Sequence, residues 1–480
     1  MDLFLTYALY LLAVLAFSIF VVLAIGGSLH LSWKVGNGGL VWVFPLITLA
    51  IVSKTIFSKR DVDAYVHNPA SYFGADGGSD VWILRVCMWT ILAICAGIVL
   101  SRGFARNKSS LCGKGLLLTF ILYWVGASAL NAIFGSVPSF DYKTLYAPLI
   151  VSAYYLGQQM SPERFILSAK TSGLFAIGVG LLAAIAAPQI ALQTHYTGTW
   201  IPGVTFRLWG LDSHANTLGP LTVMILIMEL CSPYKRKLLH WGALLIAFVA
   251  LLLTQSKTSW MSFAGALGFV CMVRIATAWR EDLSTTRLRL NTAITAVFMV
   301  VVLIGLLGLF ISVDIEKHLH RFLLTDEGAR MLSMTGRDSI WRVTLVEWRN
   351  NVLFGYGPKI WGPEFSIKYH LLGIASNAHN QLVDLLGSSG LIGLSCFLGY
   401  VLTLASCAWK VRLTAGLLPM ALLVALLIRS VSEVPFRLMN VLSHDFVFHL
   451  IIISIVFGYL YRINSKDVNY ANHADTSAIQ

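Results

Sequence analysis

Residues 241–270 read WGALLIAFVALLLTQSKTSWMSFAGALGFV, two apolar runs separated by the short polar turn TQSKT. In hydrocarbon no water can satisfy a bare peptide group, so each run must be an α-helix that closes its own hydrogen bonds. The stretch therefore reads as two membrane spans joined by a very tight turn. Lys257 sits inside that turn, and an ionisable group at membrane depth costs roughly 2.5–3.5 kcal/mol unless it faces a cavity or a partner. A charge in such a place points to a functional role.

The same pattern fills the chain. It has 480 residues, 57% hydrophobic and only 12% charged, with mean hydropathy +0.74, far from soluble globular averages. Apolar stretches fall at 3–27, 39–53, 81–100, 115–134, 145–158, 171–192, 217–231, 240–254, 258–277, 291–313, 388–408, 415–431 and 446–462. The expected fold is an all-α polytopic membrane protein. It should have about 12–13 transmembrane helices, each crossing roughly 30 Å of hydrocarbon, and a large periplasmic loop containing short helices. The first run has no basic stretch before it and no small-residue cleavage site at its end, so it reads as a retained span rather than a signal peptide.

Orientation follows from where Lys and Arg collect in short loops. SRGFARNK (101–108), SPYKRK (232–237), the stretch Arg280 to Arg289 and AWKVR (408–412) mark the cytoplasm. Alternating one span at a time from these, 193–216, the turn at 254–258 and 314–380 all fall on the outer face. With thirteen spans the N-terminus is outside; if 39–53 does not cross, both ends are cytoplasmic. The organisation expected is N-terminal helices over 1–192, central helices with a first periplasmic segment (193–216) over 193–313, the large loop 314–380, C-terminal helices over 381–462, and a disordered cytoplasmic tail, 463–480. The net charge of +12 is then mainly a topological label facing anionic lipid, and nucleic-acid binding is not inferred. Seven cysteines in or near spans, with no C-x-x-C spacing, argue against disulfides and structural zinc.

Candidate chemistry gathers on the periplasmic face. In TGRDSIWRVTLVEW (335–348) Thr335 can cap a helix, with Asp338 as a shortened capping-box partner. Trp341, Leu345, Trp348 and Val352 then form an apolar stripe for the membrane surface or the bundle mouth. Arg337 falls in the first turn, where exposed amides favour an anion and a phosphate would reconcile the two positive partners. Arg207 stands between aromatics before a Gly turn, and Asn216 can cap the span that starts at Thr217. His379, a neutral imidazole at ordinary pH, can accept a hydroxyl proton, while Asn380 can orient a substrate or cap the next helix. Glu433 is the carboxylate competitor for the base. Asp61 and Asp63 match a D-x-D metal pattern but lack a companion acid, so no metal and no cofactor is expected.

Together RLWGLDSHANTLG (207–219), TQSKTSW (254–260), TGRDSIW (335–341) with LFGYG (353–357), and AHNQLVDLLGSSGLIG (378–393) resemble the bacterial O-antigen ligase and polysaccharide polymerase superfamily. The resemblance covers roughly 200–395. It implies a metal-independent membrane glycosyltransferase of the bacterial inner membrane, with its active site facing the periplasm, that takes glycan from undecaprenyl diphosphate. Carried over residue by residue, it implies diphosphate binding by Arg207 and Arg337 and a catalytic His379. At the turn the family commonly has Arg where this chain has Lys257, which keeps the charge but loses the bidentate fork. Before GLIG the family tends to have an acid; this chain has Ser388 and Ser389, so that acid's role does not transfer.

Physical reasoning agrees, because a departing diphosphate needs prepositioned cations in a site of low dielectric. The acceptor is either another carrier-linked repeat unit, giving a polymerase, or the lipid A core, giving an O-antigen ligase. The forms TGRDSIW and LFGYG look most like exopolysaccharide polymerases. Implied partners are the undecaprenyl diphosphate-linked oligosaccharide, the acceptor glycan or lipid A core, membrane lipids, and flippase and chain-length regulator proteins. A lipid-linked glycan transporter is the reading from another class; against it, no repeat is evident and the polar candidates share one face instead of lining a path.

Overall fold

The computed structural model describes residues 26–28, 30, 36–58, 60–67, 82–103, 111–196, 199, 201–285, 337–371 and 376–477. The expected spans at 3–27 and 291–313, and the loop before Arg337 with its cap Thr335, lie outside these apart from Gly26 and Gly27. Every other apolar stretch is a helix.

In chain order the helices are α1 (Val43–Phe57), α2 (Val62–His67), α3 (Trp82–Gly103), α4 (Lys114–Trp124), α5 (Leu130–Phe134), α6 (Tyr146–Leu156), α7 (Pro162–Ala186) and α8 (Pro188–Ala191). A two-residue antiparallel ladder, β1 (Leu192–Gln193) on β2 (Arg207–Leu208), pairs Gln193 with Arg207. There follow α9 (Ala215–Cys231), α10 (Lys237–Thr254), α11 (Lys257–Thr285), α12 (Arg337–Asn350), α13 (Pro363–Lys368), α14 (Gln381–Lys410), α15 (Leu418–Arg429) and α16 (His444–Ser477). Eight described stretches are long and apolar enough to cross a membrane, and α9 and α15 are shorter apolar helices besides these. The protein is an all-α polytopic membrane protein.

The stretch 39–53 belongs to a helix that traverses the bundle. At one end Leu40 accepts from the Tyr154 hydroxyl at 2.8 Å, and at the other Arg60 reaches the 210–213 turn. The last helix, α16, runs on to Ser477, and 463–477 contains neither Pro nor Gly.

The two ends of the bundle have different chemistry. One end carries 232–237 and 408–412, the basic loops. There Glu229 is fully buried against Lys170 at 2.5 Å and His240 at 2.7 Å, and Arg462 pairs with Glu163 at 2.7 Å. At the other end stand the β ladder, the 254–257 turn, α12 and the start of α14.

A loop is laced into α14 at that second end. Gly390 has φ +63°, which breaks the helix, and a Cβ there would meet the Leu353 carbonyl at 2.4 Å. Across the break Leu391 N donates to Val352 O and Ile392 N to Leu353 O, while Gly387 O and Ser388 O accept from Tyr356 N and Gly357 N. The freed helical groups are thus satisfied by the LFGYG loop, as hydrogen bonding at membrane depth requires. Gly355, at φ +69°, lies so close to α14 that a Cβ would sit 2.7 Å from Gly387 O. The two sequence motifs therefore interlock. Above them Ile340, Tyr356, Ile360, Phe365 and Leu371 make a small core of their own.

In α12 the buried positions are Ile340, Thr344 and Glu347. The expected stripe of Trp341, Leu345 and Trp348 is only half-buried, and Val352 is 40% exposed. Glu347 can take the inward face because Asn350, Lys368 and Tyr369 satisfy its carboxylate.

Candidate functional site

Arg207 is fixed first by its backbone, in the β ladder, and then by its fork. Nε donates to Thr254 O at 2.8 Å and Nη2 to Asn216 Oδ1 at 2.5 Å, with the guanidinium 5.1 Å from the Tyr196 ring centroid. The side chain is buried. Thr254 ends α10, and Gln255, in the left-handed region at φ +48°, turns the chain so that α11 starts at Lys257. Lys257 is thus an exposed group in the first turn of α11, beside the carbonyl that holds Arg207. Its neighbour Thr258 meets Ser432 at 2.7 Å, which ties this turn to the segment carrying Glu433.

Asn216 does not cap α9. His214 does, through Nδ1, which accepts from Asn216 N at 3.0 Å, while Thr217 Oγ1 accepts from His214 N in a reciprocal box. An imidazole can serve as cap only while that nitrogen is unprotonated. Burial, with Arg207 alongside, pushes the imidazole down to about 3. Freed from capping, the Asn216 amide bridges Arg207 to Glu433, donating Nδ2 to Oε1 at 3.0 Å.

Glu433 is the hub. Oε1 also faces Arg337 Nη2 at 3.6 Å, and Oε2 meets His379 Nδ1 at 3.2 Å. Burial alone would raise this carboxyl, but His379, Arg429 and Arg337 hold it below the usual carboxylate range. Behind it, buried Arg429 pairs with Asp445 and donates to Asn216 O at 3.0 Å. Asp212 and His444 form a second buried pair at 2.5 Å. Both pairs were missed by the sequence reading. Arg429, at the end of LPMALLVALLIR, is nonetheless an ionisable residue on an apolar helix, which is signal enough.

His379 is held in the left-handed region, φ +49°, and its N–H donates to Asn377 Oδ1 at 2.7 Å. A non-glycine residue there is strained, a cost usually met by surroundings that over-determine the conformation. Here the preceding peptide is gripped on both sides. Ala378 N donates to Asp384 Oδ1 at 3.0 Å, and Ala378 O accepts from Trp341 Nε1 at 2.7 Å. Asp384, also unread in the sequence, is thereby a positioning group for His379. Asn380 is the cap of α14, accepting from Leu382 N and Val383 N at 3.0 and 3.1 Å. The cap alternative is the one the geometry selects. The Nδ1 contact to Glu433 fixes the ring and leaves Nε2 as the nitrogen not engaged by that carboxylate; its side chain is 25% exposed.

Arg207, Arg337 and His379 thus meet around Glu433 and Asn216, with Lys257 at the adjoining turn. Asp61 and Asp63 are elsewhere: Asp61 accepts from Ala64 N and Asp63 holds Thr194. Between them and the site Arg60 donates to the carbonyls of Ile190, Gly210, Asp212 and Ser213. Three of its hydrogen bonds clamp the turn that follows Arg207 and two hold Ile190 O.

Residues 242–398 match a protein-family model described as O-antigen ligase. The matched region includes Lys257, Arg337, His379, Asn380 and Asp384, and it ends before Glu433. The resemblance read from the motifs is upheld over this segment, and it supports a membrane glycosyltransferase-like enzyme of the O-antigen ligase and polymerase kind. No curated protein matches the chain.

Proposed function

We propose that this protein is an inverting glycosyltransferase of the bacterial inner membrane that moves glycan from undecaprenyl diphosphate to an acceptor hydroxyl on the periplasmic side, polymerising exopolysaccharide or O-antigen repeat units. The observation that carries the reading is the His379–Glu433 contact at 3.2 Å set among Arg207, Arg337 and Lys257. Orientation rests on the positive-inside pattern: the basic loops lie at the end of the bundle opposite this cluster.

Each residue has a task. Glu433 accepts from Nδ1–H of His379, which fixes the tautomer so that Nε2 is the basic nitrogen. The acceptor hydroxyl gives its proton to Nε2 as its oxygen bonds to the anomeric carbon. On the opposite side of that carbon the bond to phosphate breaks, and its electron pair leaves with the diphosphate. Arg207, Arg337 and Lys257 stabilise that growing charge, which is worth most where the surroundings are dry and the donors already placed. A single displacement inverts the anomeric centre. Glu433 also neutralises part of the cationic cluster before donor arrives, so an incoming diphosphate must compete with it for Arg337.

Transfer to the lipid A core is the second reading, favoured by the description of the matching family, O-antigen ligase. Incubation of purified protein with defined undecaprenyl diphosphate glycans, with and without lipid A core, followed by sizing of products, tests both. Ladders of carrier-linked glycan without core support polymerisation, and a single addition that requires core supports ligation. Intact donor under both conditions would overturn the proposal.

A further inference from the structure

At the basic end of the bundle, a cleft of about 310 Å³ opens between α11 and the connection from α14 to α15. That is the scale of a small-molecule site, roughly 300–1,000 Å³. Among the described residues, Arg274, Thr277 and Glu281 line it from α11, and Arg412, Leu413 and Leu417 from the connection.

Arg274 is an unusual residue for its helix. Only 17% of the membrane-crossing window of α11 is buried within the bundle, so most of this helix faces lipid. Arg274 lies 17 residues along it from Lys257, about 26 Å at 1.5 Å per residue. The hydrocarbon is roughly 30 Å thick. With Lys257 at one membrane boundary, Arg274 therefore stands at the other, where lipid phosphates begin. Its side chain is exposed, and no hydrogen bond or ion pair engages it among the described residues. A guanidinium at that depth is costly unless an anion meets it.

Arg412, on the other wall, is already set in place. Its carbonyl accepts from Leu417 N at 2.9 Å, Nη1 donates to Trp409 O at 2.9 Å, and the guanidinium lies 4.4 Å from the Trp409 ring centroid. Those contacts leave Nε and Nη2 as further donors. Trp409 is 43% exposed, as suits an aromatic ring at headgroup level. Leu417, at φ +66°, carries strain of the kind that gathers at ligand clamps.

Two guanidiniums and one carboxylate give the cleft a net charge of +1, which a single phosphodiester balances. Glu281, about two turns beyond Arg274, opposes the second charge of a phosphomonoester. We propose that this cleft binds the headgroup of an anionic phospholipid, phosphatidylglycerol in the simplest case, with its phosphate between Arg274 and Arg412 and its chains beside exposed Leu413. Basic pockets between helices on this side of a membrane bind lipid headgroups by the same chemistry. Binding here is independent of the transfer reaction at the opposite end.

Native mass spectrometry of the intact protein in neutral detergent, titrated with phosphatidylglycerol, phosphatidylcholine or inorganic phosphate, tests the site. One phosphatidylglycerol is retained roughly tenfold more tightly than phosphatidylcholine, and inorganic phosphate does not displace it. Arg274→Ala and Arg412→Ala each lower that affinity about fivefold. Thr277→Trp, which fills the cleft from an exposed position with both charges intact, lowers it too. Arg236→Ala, at the same end but outside the cleft, leaves it unchanged. Equal retention of phosphatidylcholine, displacement by inorganic phosphate, or an equal loss in Arg236→Ala would overturn the site. So would unchanged affinity in folded Arg274→Ala and Thr277→Trp.

Discussion

The two ends of the bundle each bury a carboxylate among cations, yet they differ in how much charged surface they leave exposed. Glu229 is fully enclosed, and Lys170 beside it is 3% exposed. Its partners turn inward apart from His240, whose side chain is 22% exposed: Tyr234 N and His240 donate to Glu229, and Lys170 also donates to Ser232 O. At the other end Glu433 is 10% exposed against 0% for Glu229, and more of the charged groups around it reach the surface. The side chains of His379 and Arg337 are 25% and 21% exposed, and Lys257 is exposed at the adjoining turn. A buried ion cluster is therefore weak evidence of function by itself. What distinguishes the two clusters is how many of their charged groups reach the surface.

Substitutions at both ends can break or sharpen this contrast. The largest effect belongs to His379→Ala, which lowers transfer about 10³-fold or more, the loss of a general base, while the protein elutes and melts as wild type. Normal turnover by the folded variant would remove His379 from the mechanism. Next come Arg337→Ala and Arg207→Ala, each lowering donor turnover by roughly 10²-fold. Arg207→Ala also lowers the melting temperature, because Thr254 O and Asn216 Oδ1 lose their donor. Lysine at 207 should not restore either property, since one ammonium cannot reproduce the fork.

At the closed end Glu229→Ala should destabilise the fold by about 3–5 kcal/mol, because Lys170 is left as an uncompensated buried charge. Turnover per folded molecule stays near wild type, as counted by activity against the folded fraction in mild detergent. A specific loss of kcat there would erase the distinction between the two ends.

The smallest effect is a pH dependence at the N-terminus of α9. The imidazole of His214 lies at about 3 in the folded protein, against roughly 6.5 when free. As pH falls below the free value, the unfolded chain takes up a proton that the folded chain refuses. Stability is therefore lost progressively from about pH 6.5 down to about 3. His214→Asn keeps a capping oxygen without titrating in that window, so its melting temperature should fall less steeply with acidification. Parallel curves for the two proteins would contradict the capping role.

The helices were legible in the sequence because hydrocarbon permits so few backbone solutions, and the apolar runs that lie among the described residues are helical. Lys257 was legible for a related reason, since a charge in a tight turn between spans is expensive and so conspicuous, while Arg207, Arg337 and His379 were picked out by the motifs that carry them. The bonds among them were not. Glu433 lies 54 residues from His379 and 217 from Asn216, and nothing local marks it as a shared acceptor. The sequence reading made it a rival base, whereas the geometry makes it the partner of His379. Asp384 looked like an ordinary helical acid because its task is to hold a main-chain N–H, which no side-chain pattern announces. His214 was unread as a cap, since Ser, Thr, Asp and Asn are the usual signs.

The broken helix α14 has one more implication. The 352–357 loop is woven through the Gly390 break by four main-chain bonds, so it cannot lift like a hinged cover without unravelling a membrane span. On the proposed reaction, a lipid-borne donor is therefore not admitted by swinging this loop aside.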